Sequence, residues 1–169
     1  MIALRLQHRS KVHLTGSLLV PLSAPAVWGQ MRHFTYFVGL DPFHANVRTV
    51  SGSIPTGAGT PIVLGHRFGP FRLDRVGRIL RWREEIGYSF SDLSRSGPRH
   101  GFPHIFTYEL RSRGKHVSRL IVTVRGRWSY TILPGWLIRR WLLWVLGYTL
   151  HSVRNQLLAV AVQRAQCPV

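Results

Sequence analysis

Two hydrophobic periods divide this sequence. From Val47 to Tyr130 apolar side chains recur at every second position, and after Pro134 at every third or fourth. Along Ser118–Tyr130, Leu120, Val122, Val124 and Trp128 share one side, while Thr123, Arg125 and Arg127 share the other. That is the alternation of a strand with one face covered. On His104–Arg111, Phe106, Tyr108 and Leu110 oppose Thr107, Glu109 and Arg111; on Tyr88–Leu93, Tyr88 and Phe90 oppose Ser89 and Ser91. On Leu73–Arg83, Leu80 and Trp82 are placed opposite Arg81 and Arg83. Val47–Ser53 and Pro61–Phe68 are shorter strands around a loop punctuated by Pro55, Gly57 and Gly59. The pattern predicts an antiparallel sheet with one aromatic face and one polar, basic face.

The N-terminal part contributes one strand, Lys11–Val20, and then a helix start. Ser23 stands as N-cap with Pro25 in the first turn, and Val27, Trp28, Met31 and Phe34 follow at helical spacing. Phe37–Val38 continue into a second short turn that Asp41-Pro42 breaks, since the residue before proline is held extended.

The C-terminal stretch WLIRRWLLWVLGYTLHSVRNQLLAVAV, Trp136 to Val162, raises the question of a membrane span. A span needs about 20 largely apolar residues. The run here extends only from Trp141 to Leu150, and His151, Ser152, Arg154, Asn155 and Gln156 follow it. An arginine at a bilayer centre costs about 2.5–3.5 kcal/mol on insertion scales. Read at helical period, Leu142, Leu146, Leu150, Val153, Leu157 and Val160 form one stripe, widened by Trp141, Trp144, Val145 and Tyr148. The stretch is expected to be an amphipathic helix of about 30 residues, approximately 134–165, packed on the sheet.

This order of elements resembles the START-related helix-grip superfamily (SRPBCC), which includes birch-pollen-allergen-like proteins and bacterial polyketide cyclases. Three segments carry the resemblance: VHLTGSLLVPLSAPAVWGQM for strand one into helix one, VGRILRWREEIGYSFSDLS for the central hairpin, and RLIVTVRGRW leading into the terminal helix. The resemblance implies an α+β fold. One domain, 1–169, would hold a curved antiparallel sheet of about seven strands, two short helices after strand one, and the long helix gripped by the sheet. It also implies a cavity between sheet and helix for an apolar ligand. Lipid carriers, cyclases, hydrolytic members and regulators share that scaffold, so function must come from the site.

Composition narrows the classes. The 169 residues suffice for one domain with a proper core. A single cysteine, Cys167, excludes an internal disulfide and a cysteine metal cage. The first residues lack an apolar stretch of signal-peptide length, and the cytoplasm is the expected compartment. Net charge is +17, from 23 basic residues, only Lys11 and Lys115 being lysine, against 6 acidic ones. Such a balance favours anionic partners, and peripheral contact with an anionic membrane is one expectation. The basic residues are dispersed from Arg5 to Arg164, so no specific nucleic-acid site is expected.

Chemical motifs are sparse. Ser89, Ser91, Asp92 and His104 supply the residue types of a hydrolytic triad, but no GxSxG elbow accompanies them. Nine histidines are present without HExxH. His33, Asp41 and His44 converge, if at all, around the Pro42 bend, and neither metal nor cofactor is expected. Glu84 and Glu85 read as solvated residues of a hairpin turn. Glu109 is expected to pair with Arg125 or Arg127. Asp92 has two readings: a carboxyl with raised pKa in an apolar cavity, or a cap for the Ser94–Gly101 loop.

The expected ligand surface is Trp82, Tyr88, Phe90, Asp92, Phe106, Tyr108 and Trp128 from the sheet, with Trp144 and Tyr148 from the helix. Gly147, between the last two, costs about 1 kcal/mol of helix propensity relative to alanine. It therefore suggests close approach to the sheet or space kept for a ligand. The favoured function is binding of a lipid-, quinone- or polyketide-like molecule by a carrier or sensor. The alternatives are a cyclase/aromatase-like enzyme and a basic module for anionic membrane or nucleic acid.

Overall fold

The structure is a computed structural model that describes residues 3–4, 11–41, 43–50, 56–68, 71–92, 102–127 and 135–166. Its elements, in chain order, are β1 (Ala3–Leu4), β2 (Lys11–Val20), α1 (Ala24–Met31), α2 (Phe34–Gly39), β3 (His44–Thr49), β4 (Pro61–Phe68), β5 (Phe71–Arg83), β6 (Gly87–Ser91), β7 (His104–Gly114), β8 (Val117–Arg127) and α3 (Gly135–Gln166). The strands form one antiparallel sheet in the order β1-β2-β8-β7-β6-β5-β4-β3. The two-residue edge strand β1 is additional to the seven strands expected, and β3 begins three residues before the predicted start at Val47.

Helix α1 starts as its sequence demands. The Ser23 hydroxyl accepts from the Ala26 N–H at 3.4 Å, and Pro25 occupies the first turn. Val27, Trp28 and Met31 then turn into the core beside Phe34, Phe37 and Val38 of α2. These two helices cover one end of the concave sheet face, where Phe34 meets Tyr88 and Phe90 edge-on and Phe37 meets Tyr108. Cross-strand registers Tyr88↔Tyr108, Phe90↔Phe106 and Phe106↔Val124 put the predicted aromatic residues on that face.

The face assignment fails at one place. Ile79, not Leu80, points into the core: Ile79 is 0% and Leu80 44% exposed. An irregularity of register between Ile79 and Arg81 inserts a residue into β5 and reverses the alternation there. Trp82 regains the inner side beyond it and stacks on Tyr88, ring centroids 5.1 Å apart.

Helix α3 lies across the other end of the concave face. Ile138, Leu142, Leu146, Thr149, Leu150, Val153 and Leu157 are its buried side chains. It approaches β2 so closely that a Cβ at Gly16 would sit 2.6 Å from Leu150 Cδ1 and 3.3 Å from Leu146 Cδ2. No helix among the described residues is long and apolar enough to cross a membrane. The C-terminal stretch is the helix that the sheet grips.

Candidate functional site

Between α3 and the concave sheet lies a small cleft of about 50 Å³, partly open to solvent. Trp141, Leu142, Val145 and Leu146 of α3 form its apolar roof, completed by Leu14, Val124, Phe102 and Phe106. The floor is different: Asp41, His44, His66 and His104 border the space, with Thr149 of α3 beside them.

The three histidines are placed by ordinary strand geometry. His44 opens β3, His66 lies near the end of β4, and His104 opens β7. His44 and His66 are cross-strand partners, ring centroids 5.2 Å apart, and His104 packs against His66 at 5.5 Å. One ring nitrogen of each histidine lies within 4.8 Å of one from each of the others. All three are buried. None of the spacings His44–His66–His104 matches a local motif, because the cluster forms only when three strands pair. Alternation offered one usable signal: His104 shares the inner face of β7 with Phe106 and Tyr108.

Two carboxylates hold the rings. Asp41 Oδ2 is 3.2 Å from His44 Nδ1, and Asp41 Oδ1 accepts the Phe43 N–H at 3.0 Å. Burial by itself would raise the Asp41 carboxyl; the His44 ring, the Phe43 N–H and the Thr149 hydroxyl outweigh it and hold the group below its ordinary value. Asp92 Oδ1 accepts the His104 backbone N–H at 2.7 Å. Asp92 Oδ2 accepts from Arg75 Nη1 at 3.2 Å and lies 3.4 Å from His104 Nδ1 and 3.9 Å from His66 Nε2. His104 Nδ1 is also 2.6 Å from the Phe102 carbonyl oxygen. Burial, reinforced by neighbouring rings and Arg75, pushes His66 down to about 2. His104 is lowered chiefly by burial, which Asp92 and the Phe102 carbonyl offset only in part. Both rings are therefore neutral at pH 7.

Asp92 thus has a third role beyond the two expected. It is 2% exposed and ties β7, Arg75 of β5 and the histidine cluster together. The Ser94–Gly101 loop that it was expected to cap lies outside the described residues, as does Trp128. Of the other expected ligand residues, Phe106 borders the cleft. Tyr88, Phe90 and Tyr108 are packed in the core under α1 and α2. Burial raises both tyrosine hydroxyls, Tyr88 well above its ordinary value. Trp82 covers Tyr88 at the far end of the sheet from α3.

Trp144 and Tyr148 do not face the sheet with Trp82 and Phe106; they are 58% and 50% exposed. At about 100° per residue, Trp144 lies roughly 200° round the helix from Leu142. Its ring and that of Tyr148 rest instead on Phe43, at 5.9 and 6.5 Å. Trp141, one turn earlier, is the tryptophan that borders the cleft. Nothing lies within 4 Å of a Cβ built on Gly147, so this glycine marks neither a close approach nor the cleft.

Three smaller expectations also change. Glu84 is not merely a solvated turn residue: its carboxylate accepts from Trp82 Nε1 at 2.7 Å and Trp28 Nε1 at 2.9 Å, fastening the β5–β6 turn to α1. Glu109 pairs with Arg111 at 2.6 Å. In the β7–β8 register it stands opposite Ile121, four positions from Arg125. Asp41 and His44 come together, while His33 remains at the exposed start of α2.

No family model and no curated protein matches the sequence. Solved structures do match. The ZhuI aromatase/cyclase of Streptomyces sp. R1128 superposes with a TM-score of 0.68 at 13% identity, over 92% of this chain and 96% of that one. A protein from Thermus thermophilus gives 0.64 at 14% identity, over 88% and 98%. Ara h 8.0201 gives 0.60 at 14% identity, over 88% and 99%. Identities this low carry the architecture and nothing finer: the chain has the helix-grip, SRPBCC-type fold.

Proposed function

We propose that the chain binds a hydrophobic or amphipathic small molecule in the cleft between sheet and α3, as a carrier or sensor. The observation that carries this reading is the asymmetry of the cleft. Its roof is apolar from Trp141 to Leu146, whereas its floor presents three buried imidazoles. Such a lining fits a molecule with an apolar body and one oxygen-bearing end, since ligand sites pair hydrophobic walls with a few placed polar groups. Among the described side chains expected from the sequence to meet the ligand, Phe106 is the one that borders the space.

A second reading is a cyclase/aromatase-like enzyme. Asp41–His44 and Asp92–His104 are carboxylate–imidazole pairs at the cleft floor, and a positioned neutral histidine can take a proton from an activated carbon acid. Delivery or pick-up of an apolar ligand would use the outer face of α3. There Trp136, Trp144 and Tyr148 are exposed near Arg139 and Arg140, a composition suited to an anionic membrane surface.

The test is a fluorescence titration with anilinonaphthalene sulfonate as the probe. Val145→Trp fills the cleft from the helix side and is expected to weaken binding at least tenfold, about 1.4 kcal/mol. Trp144→Phe, on the outer face, should leave affinity unchanged. Equal affinity in wild type and Val145→Trp would remove the cleft as the site.

A further inference from the structure

We infer that His44, His66 and His104 form a binding site for one divalent transition-metal ion, best suited to zinc(II), with an open coordination position facing the apolar cleft.

The donor set comes first. Three ring nitrogens from three different strands meet within 4.8 Å, all on buried residues. Zinc held tetrahedrally at about 2.0–2.1 Å from each nitrogen needs them about 3.3 Å apart. From separations of up to 4.8 Å, the three nitrogens would draw together on binding the ion. Three imidazoles and no thiolate select zinc, cobalt, nickel or copper over magnesium or calcium, which prefer all-oxygen shells. Three protein ligands with a vacant fourth position is the arrangement of a reactive rather than a purely structural zinc site.

The surroundings of the rings are those a metal requires. His44 has Asp41 Oδ2 at its Nδ1, and His104 has the Phe102 carbonyl and Asp92 Oδ2 at its Nδ1. A proton on Nδ1 of each ring would leave the Nε2 lone pair for a ligand bond. Carboxylate and carbonyl partners of this kind orient metal-bound histidines. The placement of acid is equally telling. The chain has 6 acidic residues, and the two that are buried, Asp41 and Asp92, are the two beside this cluster. With Arg75, they give the buried group a formal charge of −1, which a divalent cation turns to +1 and a bound anionic oxygen returns to zero. An oxygen of the molecule in the cleft, or a water, would complete the shell and be polarised there.

This inference goes beyond ligand binding and does not depend on it, because its readout uses the metal alone. Full-length, tag-free protein is stripped with a chelator and titrated with cobalt(II), then with zinc(II). The expected result is saturation at one cobalt per chain, with the intense visible absorption of a four-coordinate ion, and its loss as zinc displaces cobalt. His44→Ala and His66→Ala should each lower cobalt affinity at least a hundredfold, and Asp41→Asn about 10–100-fold. His151→Ala, at an exposed histidine outside the cluster, should change nothing. If a histidine variant does not fold, Asp41→Asn and the wild-type stoichiometry decide. Absence of stoichiometric cobalt uptake by the wild type overturns the inference. So does uptake of unchanged affinity in His44→Ala, His66→Ala and Asp41→Asn alike.

Discussion

Asp41 and Asp92 are acidic side chains that a strongly basic chain keeps out of solvent, and what they hold is titratable. In the metal-free protein His66 and His104 are buried neutral. The unfolded chain binds a proton at each near 6.5; the folded chain binds one at His66 only at about 2, and His104 is lowered as well. Between those values the unfolded state holds more protons, so stability falls as pH falls from about 6.5. The limiting slope is about 1.4 kcal/mol per pH unit for each histidine. Asp41 adds to the loss further down: its folded value lies below the ordinary 3.8, so its contribution is full above 3.8 and disappears as pH drops through the folded value. Urea midpoints of chelator-treated protein from pH 7 to 4 are expected to decline steadily, and His66→Leu should flatten the decline by about one proton. A midpoint independent of pH over that range would contradict the assignment. The surface tryptophan gives a second prediction. Trp144→Ala should cost less than about 1.5 kcal/mol, against about 3–5 for a tryptophan in solid core, because more than half of it is in solvent. Sequence periodicity places Trp141, Trp144, Val145 and Tyr148 in one wide stripe. It cannot say how much of a wide stripe a curved sheet covers, and here the cover stops between Val145 and Trp144.

Among the elements, closeness of approach is what sequence reads least well. Gly16 and Gly77 look alike as single glycines in strands, yet each solves a different problem. At Gly16 an added Cβ meets the tip of Leu150, a flexible side chain of α3. At Gly77 it would lie 1.7 Å from the Ser91 carbonyl oxygen, which belongs to backbone and cannot rotate aside. Gly16→Ala is therefore expected to cost at most the lower part of the roughly 1–3 kcal/mol of overpacking, and Gly77→Ala to exceed that range. Because Gly77→Ala displaces Ser91 and with it Asp92, it should also disturb the histidine cluster. Chemical denaturation of both variants checks the order, and a smaller loss for Gly77→Ala would be inconsistent with the β5–β6 packing. The strands themselves were legible because alternation is strict on β7 and β8, where Phe106, Tyr108, Leu110, Leu120, Val122 and Val124 are all buried. On β5 it was not, since a bulge has no composition of its own and turned Leu80 outward.

For the molecule as a whole, the order of periods, two and then three to four, predicted an antiparallel sheet followed by a long terminal helix, and the resemblance to the helix-grip superfamily implied that the sheet grips that helix. The cleft between them was expected; its floor was not. Aromatic residues drew attention to the end of the sheet under α1 and α2, where they pack as core, whereas the polar floor is assembled from His44, His66 and His104 by pairing across the sheet. Long-range convergence of this kind leaves no mark in local spacing. The dispersed positive charge also acts at this scale. Binding to vesicles of anionic lipid should fall steeply as salt rises, and Trp136→Ala with Trp144→Ala should weaken it further at fixed salt. Co-sedimentation measures both, and equal binding to neutral vesicles would exclude the electrostatic contribution. The central claim remains that the cleft holds a small molecule. Native mass spectrometry of the freshly purified full-length chain tests it most directly. The expected spectrum shows one non-covalently bound compound per chain in the wild type and bare protein in Val145→Trp. Bare wild-type protein that also takes up none of an added panel of quinones, lipids and aromatic polyketides, or a compound retained equally by Val145→Trp, would contradict it.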